Sequence, residues 1–212
     1  VPFSTYQWRA IEQSTAMSED AKPYAAIAGI KAVSEACARR GKPAEVIWDT
    51  EILRYRLKFE IKEAPLVSII IPTKDSFNFI SKCVDSILEK STYTNFDFLF
   101  IDTGTTEKNA LEFIERVEQK NKNIRLIRDE RPFNFARMNN DGVRAANGDY
   151  VILLNNDTEV ITPEWIEEML MYAQHEDVGV VGCKLLYPDE TIQHGGIVGV
   201  GKNVAGHMFK QK

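Results

Sequence analysis

The sequence predicts an α/β fold with a mostly parallel sheet flanked by helices. From Pro65 onward, short apolar runs alternate with segments of helical periodicity, the pattern of strands joined by crossover helices. One of these runs, residues 150–154, is continuously apolar, as is typical of a strand covered on both faces. Residues 1–64 lack this alternation and are predicted to form an appendage, whereas residues 65–212 are predicted to form the main domain.

Composition narrows the functional class. The net charge of −5 argues against general nucleic-acid binding. The longest mostly apolar runs, such as residues 66–71, are too short to span a bilayer, and we see no basic-then-apolar secretion signal at the start of the sequence. The three cysteines have no metal spacing and, being odd in number, form no disulfide framework. We therefore expect a cytoplasmic protein. Because the chain starts at Val1 rather than at a methionine, we expect a fragment of a longer protein. Because its last element has no stop signal before Lys212, we expect this fragment to be truncated at its C-terminus.

The appendage combines one predicted helix with two short strands. Residues 22–40 place apolar side chains at helical spacing, and residues 45–48 and 53–59 are predicted strands. The second strand alternates apolar residues with the basic residues Arg54, Arg56 and Lys58. This stripe is either a binding surface or, as is more common, a solvated strand face. We predict a small α+β docking appendage without chemistry of its own.

In the main domain, short runs rich in apolar residues predict five strands, and the helical spacing of apolar residues predicts the helices between them. The strands are residues 66–71, 96–101, 124–127, 150–154 and 178–181, and the helices are residues 76–88, 107–119 and 134–146. A further helix is predicted to start at Thr162, whose hydroxyl can cap it, with Pro163 at its first position and Glu164 near its positive end.

Residues 148–160 carry the strongest functional signal. A strand ends there in Asn155, Asn156 and Asp157, so a carboxylate flanked by amides stands at a carboxyl end, where open α/β sheets bind ligands. Such a carboxylate can hold Mg²⁺ or Mn²⁺, and the ion can bridge a diphosphate. A plain strand-to-loop turn would use the same residue types, and this stretch alone does not separate the two.

Neighbouring loops favour the ligand site. Asp75 and Asp102 follow two other strands, and carboxylates that converge at one sheet edge repel one another unless a cation or donor groups lie between them. Thr73 and Lys74 are candidate phosphate or base partners. Arg137 and Asn140 lie near the start of a helix, whose amino terminus favours anions. No glycine-rich dinucleotide or P-loop motif is present, so carboxylates plus metal would have to hold the phosphates.

Four blocks resemble one family. VSIIIPTKD (67–75), FLFIDTGT (98–105), FARMNNDGVRAANGDYVILLNNDTEV (135–160) and VGVVGCKLLYPDETIQHGG (178–196) are similar in order and spacing to glycosyltransferase family 2, most of all to the rhamnosyltransferase-like branch of bacterial surface polysaccharide synthesis. The likeness covers about residues 65–209. It implies a Rossmann-like fold of the GT-A type and transfer, with inversion, from a nucleotide-diphosphate sugar to a saccharide or lipid-linked acceptor. It also implies Mg²⁺ or Mn²⁺ as cofactor, and association with the inner face of the cytoplasmic membrane is a further expectation.

The resemblance carries roles to matching positions. The implied metal ligand is Asp157, and the implied nucleotide contacts are Pro72, Thr73, Lys74, Asp75, Asp102, Arg137, Asn140, Asn155 and Asn156.

The chain departs from the family pattern in three places. Thr103 follows Asp102 where many members have a second acid or an amide, and the metal motif is reduced to Asn-Asn-Asp. The family's catalytic base lies downstream, so we expect it beyond Lys212 and expect this chain to be inactive by itself.

Two alternatives stay open. A sugar-1-phosphate nucleotidyltransferase would need a glycine- and arginine-rich loop after the first strand, which residues 73–75 do not supply. A non-catalytic nucleotide-sugar-binding or scaffolding module is compatible with the reduced metal motif.

Overall fold

The computed structural model describes residues 24–200, 203–207 and 209, and these residues belong to two compact units, 1–60 and 61–212. The sequence-based boundary between residues 64 and 65, as a division into domains, stays a prediction. No helix in the described ranges has the length and apolar character needed to cross a membrane.

The first unit contains helix α1 (Tyr24–Arg39) and an antiparallel hairpin of β1 (Glu45–Asp49) and β2 (Arg54–Lys58). The predicted helix and both strands are confirmed, while positions 22 and 23, at the predicted start of the helix, lie outside the described residues. The helix packs closely on the hairpin at Gly29, where a Cβ atom would lie 1.7 Å from the Tyr55 hydroxyl.

The second unit is built on a mostly parallel sheet, as the sequence predicts, and in the described residues this sheet has four strands rather than the predicted five. Its strands are β3 (Val67–Thr73), β4 (Phe96–Asp102), β5 (Ile124–Arg128) and β6 (Tyr150–Leu153), in the spatial order β5-β4-β3-β6. Thr73 pairs with Asp102 and Asp102 with Arg128, so the carboxyl ends of the first three strands are level with one another.

Helices cover both faces of this sheet. They are α2 (Phe77–Lys90), α3 (Lys108–Lys120), α4 (Phe135–Ala145) and α5 (Trp165–Ala173). Side chains alternate across a strand. Ile69 and Ile71 therefore pack with α2, α3 and α5 on one face, whereas Ile70 packs against Met138 of α4 on the other. The buried strands β3 and β4 hold the loops at their carboxyl ends in place.

Strand β6 departs from the prediction that it is buried on both faces. Tyr150 and Ile152 pack against the core, but Val151 and Leu153 are 41% and 56% exposed. The reason is that β6 is an edge strand, paired with β3, and α4 covers the inner strands instead.

Two further predictions are wrong. Helix α5 starts at Trp165 rather than at Thr162, whose carbonyl accepts a turn hydrogen bond from the Trp165 N–H at 3.2 Å. Residues 178–181 form no strand: Val180 is 90% exposed, and in the described ranges no strand pairs with this segment. Two small hairpins that the sequence did not predict follow, built from β7 (Leu185–Leu186), β8 (Ile192–His194), β9 (Ile197–Val200) and β10 (Asn203–His207).

Candidate functional site

A cavity of about 280 Å³ lies at the carboxyl edge of the parallel sheet. Its walls come from the end of β3, from the loops after β3, β4, β5 and β6, and from the start of α4, so residues far apart in the chain meet there. The lining residues are Pro72, Thr73, Lys74, Ser76, Thr103, Phe133, Phe135, Met138, Asn155, Asn156 and Asp157. Six of these eleven, the run Pro72 to Lys74 and the run Asn155 to Asp157, are predicted site residues.

The Asn155-Asn156-Asp157 loop is fixed by its neighbours on two sides. The Asn156 amide donates to the Thr73 hydroxyl at 3.4 Å, and the Thr158 hydroxyl donates to the Asn155 carbonyl at 3.0 Å. The Cys83 thiol lies 3.8 Å from the same carbonyl, and burial raises the pKa of that thiol, which keeps it a neutral donor. Over the described part of the chain, no protein group pairs with the exposed Asp157 carboxylate. This carboxylate is therefore available to a ligand.

Asp75 is held by the loop before α3. Its Oδ1 accepts hydrogen bonds from the N–H groups of Thr106 and Glu107 at 2.7 and 2.9 Å, and these bonds hold its pKa below the usual value. Its backbone is in the left-handed region, with φ of 53°, and the side chain does not line the cavity. In this structure Asp75 stabilises the start of a helix, where a negative charge is favourable.

The carboxylate of Asp102 also has protein partners, and the residue is only 1% exposed. Its Oδ1 accepts from the N–H and the hydroxyl of Thr105 at 3.0 and 2.6 Å, and its Oδ2 pairs with Arg128 at 3.3 Å. The Thr105 hydroxyl also accepts from the Asp75 N–H at 2.9 Å, so one hydroxyl ties the two loops together.

The predicted convergence of three carboxylates is therefore not found. Asp157 lines the cavity, whereas Asp75 and Asp102 face groups of the β4–α3 loop. Within the described residues, no cluster of three acidic, histidine or cysteine side chains could hold a metal. The shared sheet edge brings the loops together as expected, but local hydrogen bonds turn two of the three side chains away.

Arg137 and Asn140, predicted nucleotide contacts on α4, do not line the cavity. The Arg137 guanidinium donates to Asp129 at 3.2 Å and to the Pro132 carbonyl at 2.6 Å. Asn140 is exposed on the helix surface. Their role as nucleotide contacts stays a prediction.

Sequence reasoning missed two aromatic residues that line the cavity and a buried acid that follows β5. Phe133 and Phe135 line the cavity and are 70% and 52% exposed, while Asp129, just after β5, is 5% exposed. The signal for Asp129 was present, because it is an acid at a strand's carboxyl end, like Asp102. Nothing local distinguishes the two phenylalanines from core residues.

The donor set of this cavity fits a hard divalent cation that is completed by a ligand. Mg²⁺ is commonly held by one or two carboxylates together with substrate phosphates and water. Asp157 would supply one carboxylate to such an ion, and Asn155, which lines the same cavity, would supply an amide oxygen.

Comparisons with known proteins agree with this architecture. A family model described as glycosyl transferase family 2 matches residues 68–196. The uncharacterized protein y4gI of Sinorhizobium fredii is 45% identical over 204 residues, 95% of this chain and 22% of that protein. The O-antigen biosynthesis protein RfbC of Myxococcus xanthus is 38% identical over 182 residues, 86% of this chain and 14% of that protein. The chain thus spans less than a quarter of the length of these relatives.

A solved structure shows the same fold. The mannosyltransferase PcManGT of Pyrobaculum calidifontis, in complex with GDP-Man and Mn²⁺, aligns with a TM-score of 0.54 at 18% identity, over 81% of this chain and 47% of that one. The parallel sheet flanked by helices is thus of the GT-A type. Because the family model matches more than half of the residues and the fold agrees with it, the chain belongs to glycosyltransferase family 2.

Proposed function

We propose that this chain is the nucleotide-sugar-binding part of an inverting, metal-dependent glycosyltransferase. The observation that carries the proposal is the meeting, in one cavity, of the Asp157 carboxylate with the polar loop Pro72 to Lys74. The donor is a nucleotide-diphosphate sugar, as for the mannosyltransferase that was solved with GDP-Man and Mn²⁺.

The residues of the cavity have separable tasks in this proposal. Lys74 contributes a positive charge for the phosphates, and Thr73 contributes a hydroxyl that already positions Asn156. Asp157 and Asn155 would hold Mg²⁺ or Mn²⁺, which when bound neutralises charge on the leaving diphosphate. Asp102 and Asp75 support the site indirectly, because their carboxylates accept hydrogen bonds that order the loop after β4.

The acceptor and the location belong to the same proposal. The likeness to an O-antigen biosynthesis protein supports a saccharide or lipid-linked saccharide acceptor in the synthesis of the bacterial cell envelope. We place the activity in the cytoplasm, at the inner face of the membrane where such acceptors are held. The base that deprotonates the acceptor hydroxyl is not among the cavity residues named above, and we expect the chain alone to bind donor without transferring sugar.

Calorimetry tests the donor site. The chain is titrated with UDP, GDP and dTDP in the presence and absence of Mg²⁺. We expect binding of at least one diphosphate that depends on the metal, and we expect Asp157→Ala to remove the metal dependence. The matched control is Asp149→Ala, because Asp149 is an exposed carboxylate that precedes β6, whereas Asp157 follows it. Binding that survives Asp157→Ala with its metal dependence intact would overturn the assignment.

A further inference from the structure

Two phenylalanine rings are exposed on the wall of the donor cavity. Phe133 is 70% and Phe135 is 52% exposed, and both line the cavity that contains Asp157. A single exposed apolar side chain needs no explanation. Two aromatic rings that share one concave wall with a free carboxylate resemble the mixed lining of a ligand site, in which apolar surface provides affinity and a few polar groups fix orientation.

The topology places the loop that carries Phe133 three strands away from the loop that carries Asp157. Phe133 lies in the loop after β5, and Asp157 lies in the loop after β6, at the two ends of the strand order β5-β4-β3-β6. Three strand spacings separate those strand ends by about 14 Å. Thr103 and Thr73 line the cavity between them. A ligand with its diphosphate at Asp157 can therefore extend along the sheet edge toward the rings.

The loop that carries the rings is held by a buried carboxylate. Asp129 accepts from the Arg131 N–H at 3.1 Å, from its guanidinium Nε at 2.6 Å, and from Arg137 at 3.2 Å. The hydrogen bond from the Arg131 side chain is the main cause that lowers the pKa of Asp129 to about 2, so the group stays charged at neutral pH.

Two more bonds fix the segment between Asp129 and α4. The Arg137 guanidinium donates to the Pro132 carbonyl at 2.6 Å, and the Asn134 side chain caps α4 by accepting from the Arg137 N–H at 2.9 Å. The backbone on both sides of Phe133 is thus restrained before any ligand arrives. Restraint of this kind reduces the entropy lost on binding.

We propose that Phe133 and Phe135 form an aromatic platform on which the nucleobase of the donor stacks, and that Asp129 is the residue that positions it. This inference rests on the proposed function. A nucleobase is the planar part of such a donor, and every base has a π-face, so the platform adds affinity without selecting one base.

Calorimetry with two ligands isolates the platform. A nucleoside diphosphate contains the base, whereas inorganic pyrophosphate keeps the phosphates and lacks it. With Mg²⁺ present, we expect Phe133→Ala or Phe135→Ala to weaken binding of the diphosphate by about 5- to 150-fold, the range found when aromatic stacking partners of bases are truncated. Pyrophosphate has no base to stack on the rings, so its affinity should change by no more than about twofold in the same variants.

Matched variants complete the design. Phe79→Ala is the control, because Phe79 is 57% exposed on α2 and lies outside the cavity. Phe135→Trp should retain binding, since a larger ring still stacks. Asp129→Asn should weaken the diphosphate but not pyrophosphate, and it should have little further effect when Phe133 is already alanine, as expected for residues that act as a unit.

The outcomes separate the two proposals. If the unaltered chain binds no nucleoside diphosphate, the proposed function fails. If it binds one and both phenylalanine variants bind equally well, the platform is overturned. Equal loss of diphosphate and pyrophosphate would also overturn it, because the rings would then support the cavity rather than the base. Loss of affinity seen only with the complete nucleotide sugar would assign the rings to the sugar instead of the base, and it would overturn the platform.

The positioning role of Asp129 has its own test. Additive effects of Asp129→Asn and Phe133→Ala on diphosphate affinity would overturn that role.

Discussion

Replacing Gly148 by alanine should destabilise the parallel sheet. Gly148 stands two residues before β6, and a Cβ atom there would lie 2.6 Å from the Ser68 nitrogen and 2.8 Å from the Leu66 oxygen. Both atoms belong to the backbone at the start of the buried strand β3, so a side-chain rotation cannot relieve the contact. The Gly148 N–H also donates to the Ser68 hydroxyl at 2.9 Å, which ties the two segments together.

The size of the effect follows from these contacts. Overpacking typically costs about 1–3 kcal/mol, and we expect the upper end here because the close atoms are main-chain atoms. For a domain of this size, about 3 kcal/mol corresponds to a fall in melting temperature of roughly 6–12 °C. Such a loss is a large part of a typical stability of about 5–15 kcal/mol.

The assay can be confined to the second unit. The chain has three tryptophans, and Trp165 is half-buried with its indole N–H donating to Ser91 at 2.8 Å. In a background of Trp8→Phe and Trp48→Phe, fluorescence during urea unfolding reports on residues 61–212. The control is Gly179→Ala, because a Cβ atom there meets nothing within 4 Å. A free energy of unfolding for Gly148→Ala within about 0.5 kcal/mol of the control would show that the sheet accommodates a Cβ atom at this position, contrary to the prediction.

Two further predictions use the same assay. Thr105→Val removes the hydroxyl that donates to buried Asp102 and accepts from the Asp75 N–H, so we expect a loss of about 1–3 kcal/mol, and an unchanged urea midpoint would contradict it. Hydrogen bonds from the Thr106 and Glu107 backbone lower the pKa of Asp75 in the folded state. The stabilisation that this carboxylate gives the folded state is therefore present above its unfolded pKa of about 4, and it is lost as the pH falls through the lower folded-state pKa. Asp75→Asn should therefore flatten the acid limb of stability against pH, and a limb as steep as in the parent chain would contradict this.

The order of the secondary structure could be predicted from the sequence because it depends on local properties. Runs such as residues 67–71 and 96–101 are mostly apolar, and every residue of both runs is buried, as is typical of strands covered on both faces. The family could likewise be predicted, since the spacing of its four blocks is a property of the chain itself, and the match over residues 68–196 confirms it.

Strand burial at the edge of the sheet was not predictable in this way. Residues 150–154 and 178–181 have the same apolar character, yet the first forms an exposed edge strand and the second forms no strand. A strand needs a partner and a covering layer, and neither is encoded within the segment that forms it.

For the candidate site, the loops that meet could be predicted from the alternation of strands and helices, because parallel strands present their carboxyl ends at one edge. Which side chains face the cavity depends on contacts that form only in the folded chain. Asp75, Asp102 and Asp157 look equivalent in the sequence. In the structure, however, Thr106 donates a hydrogen bond to Asp75, and Asp102 accepts from Thr105 and pairs with Arg128. The direction of a carboxylate is set by the donors that surround it, and those donors come from turns whose conformation depends on residues distant in the chain.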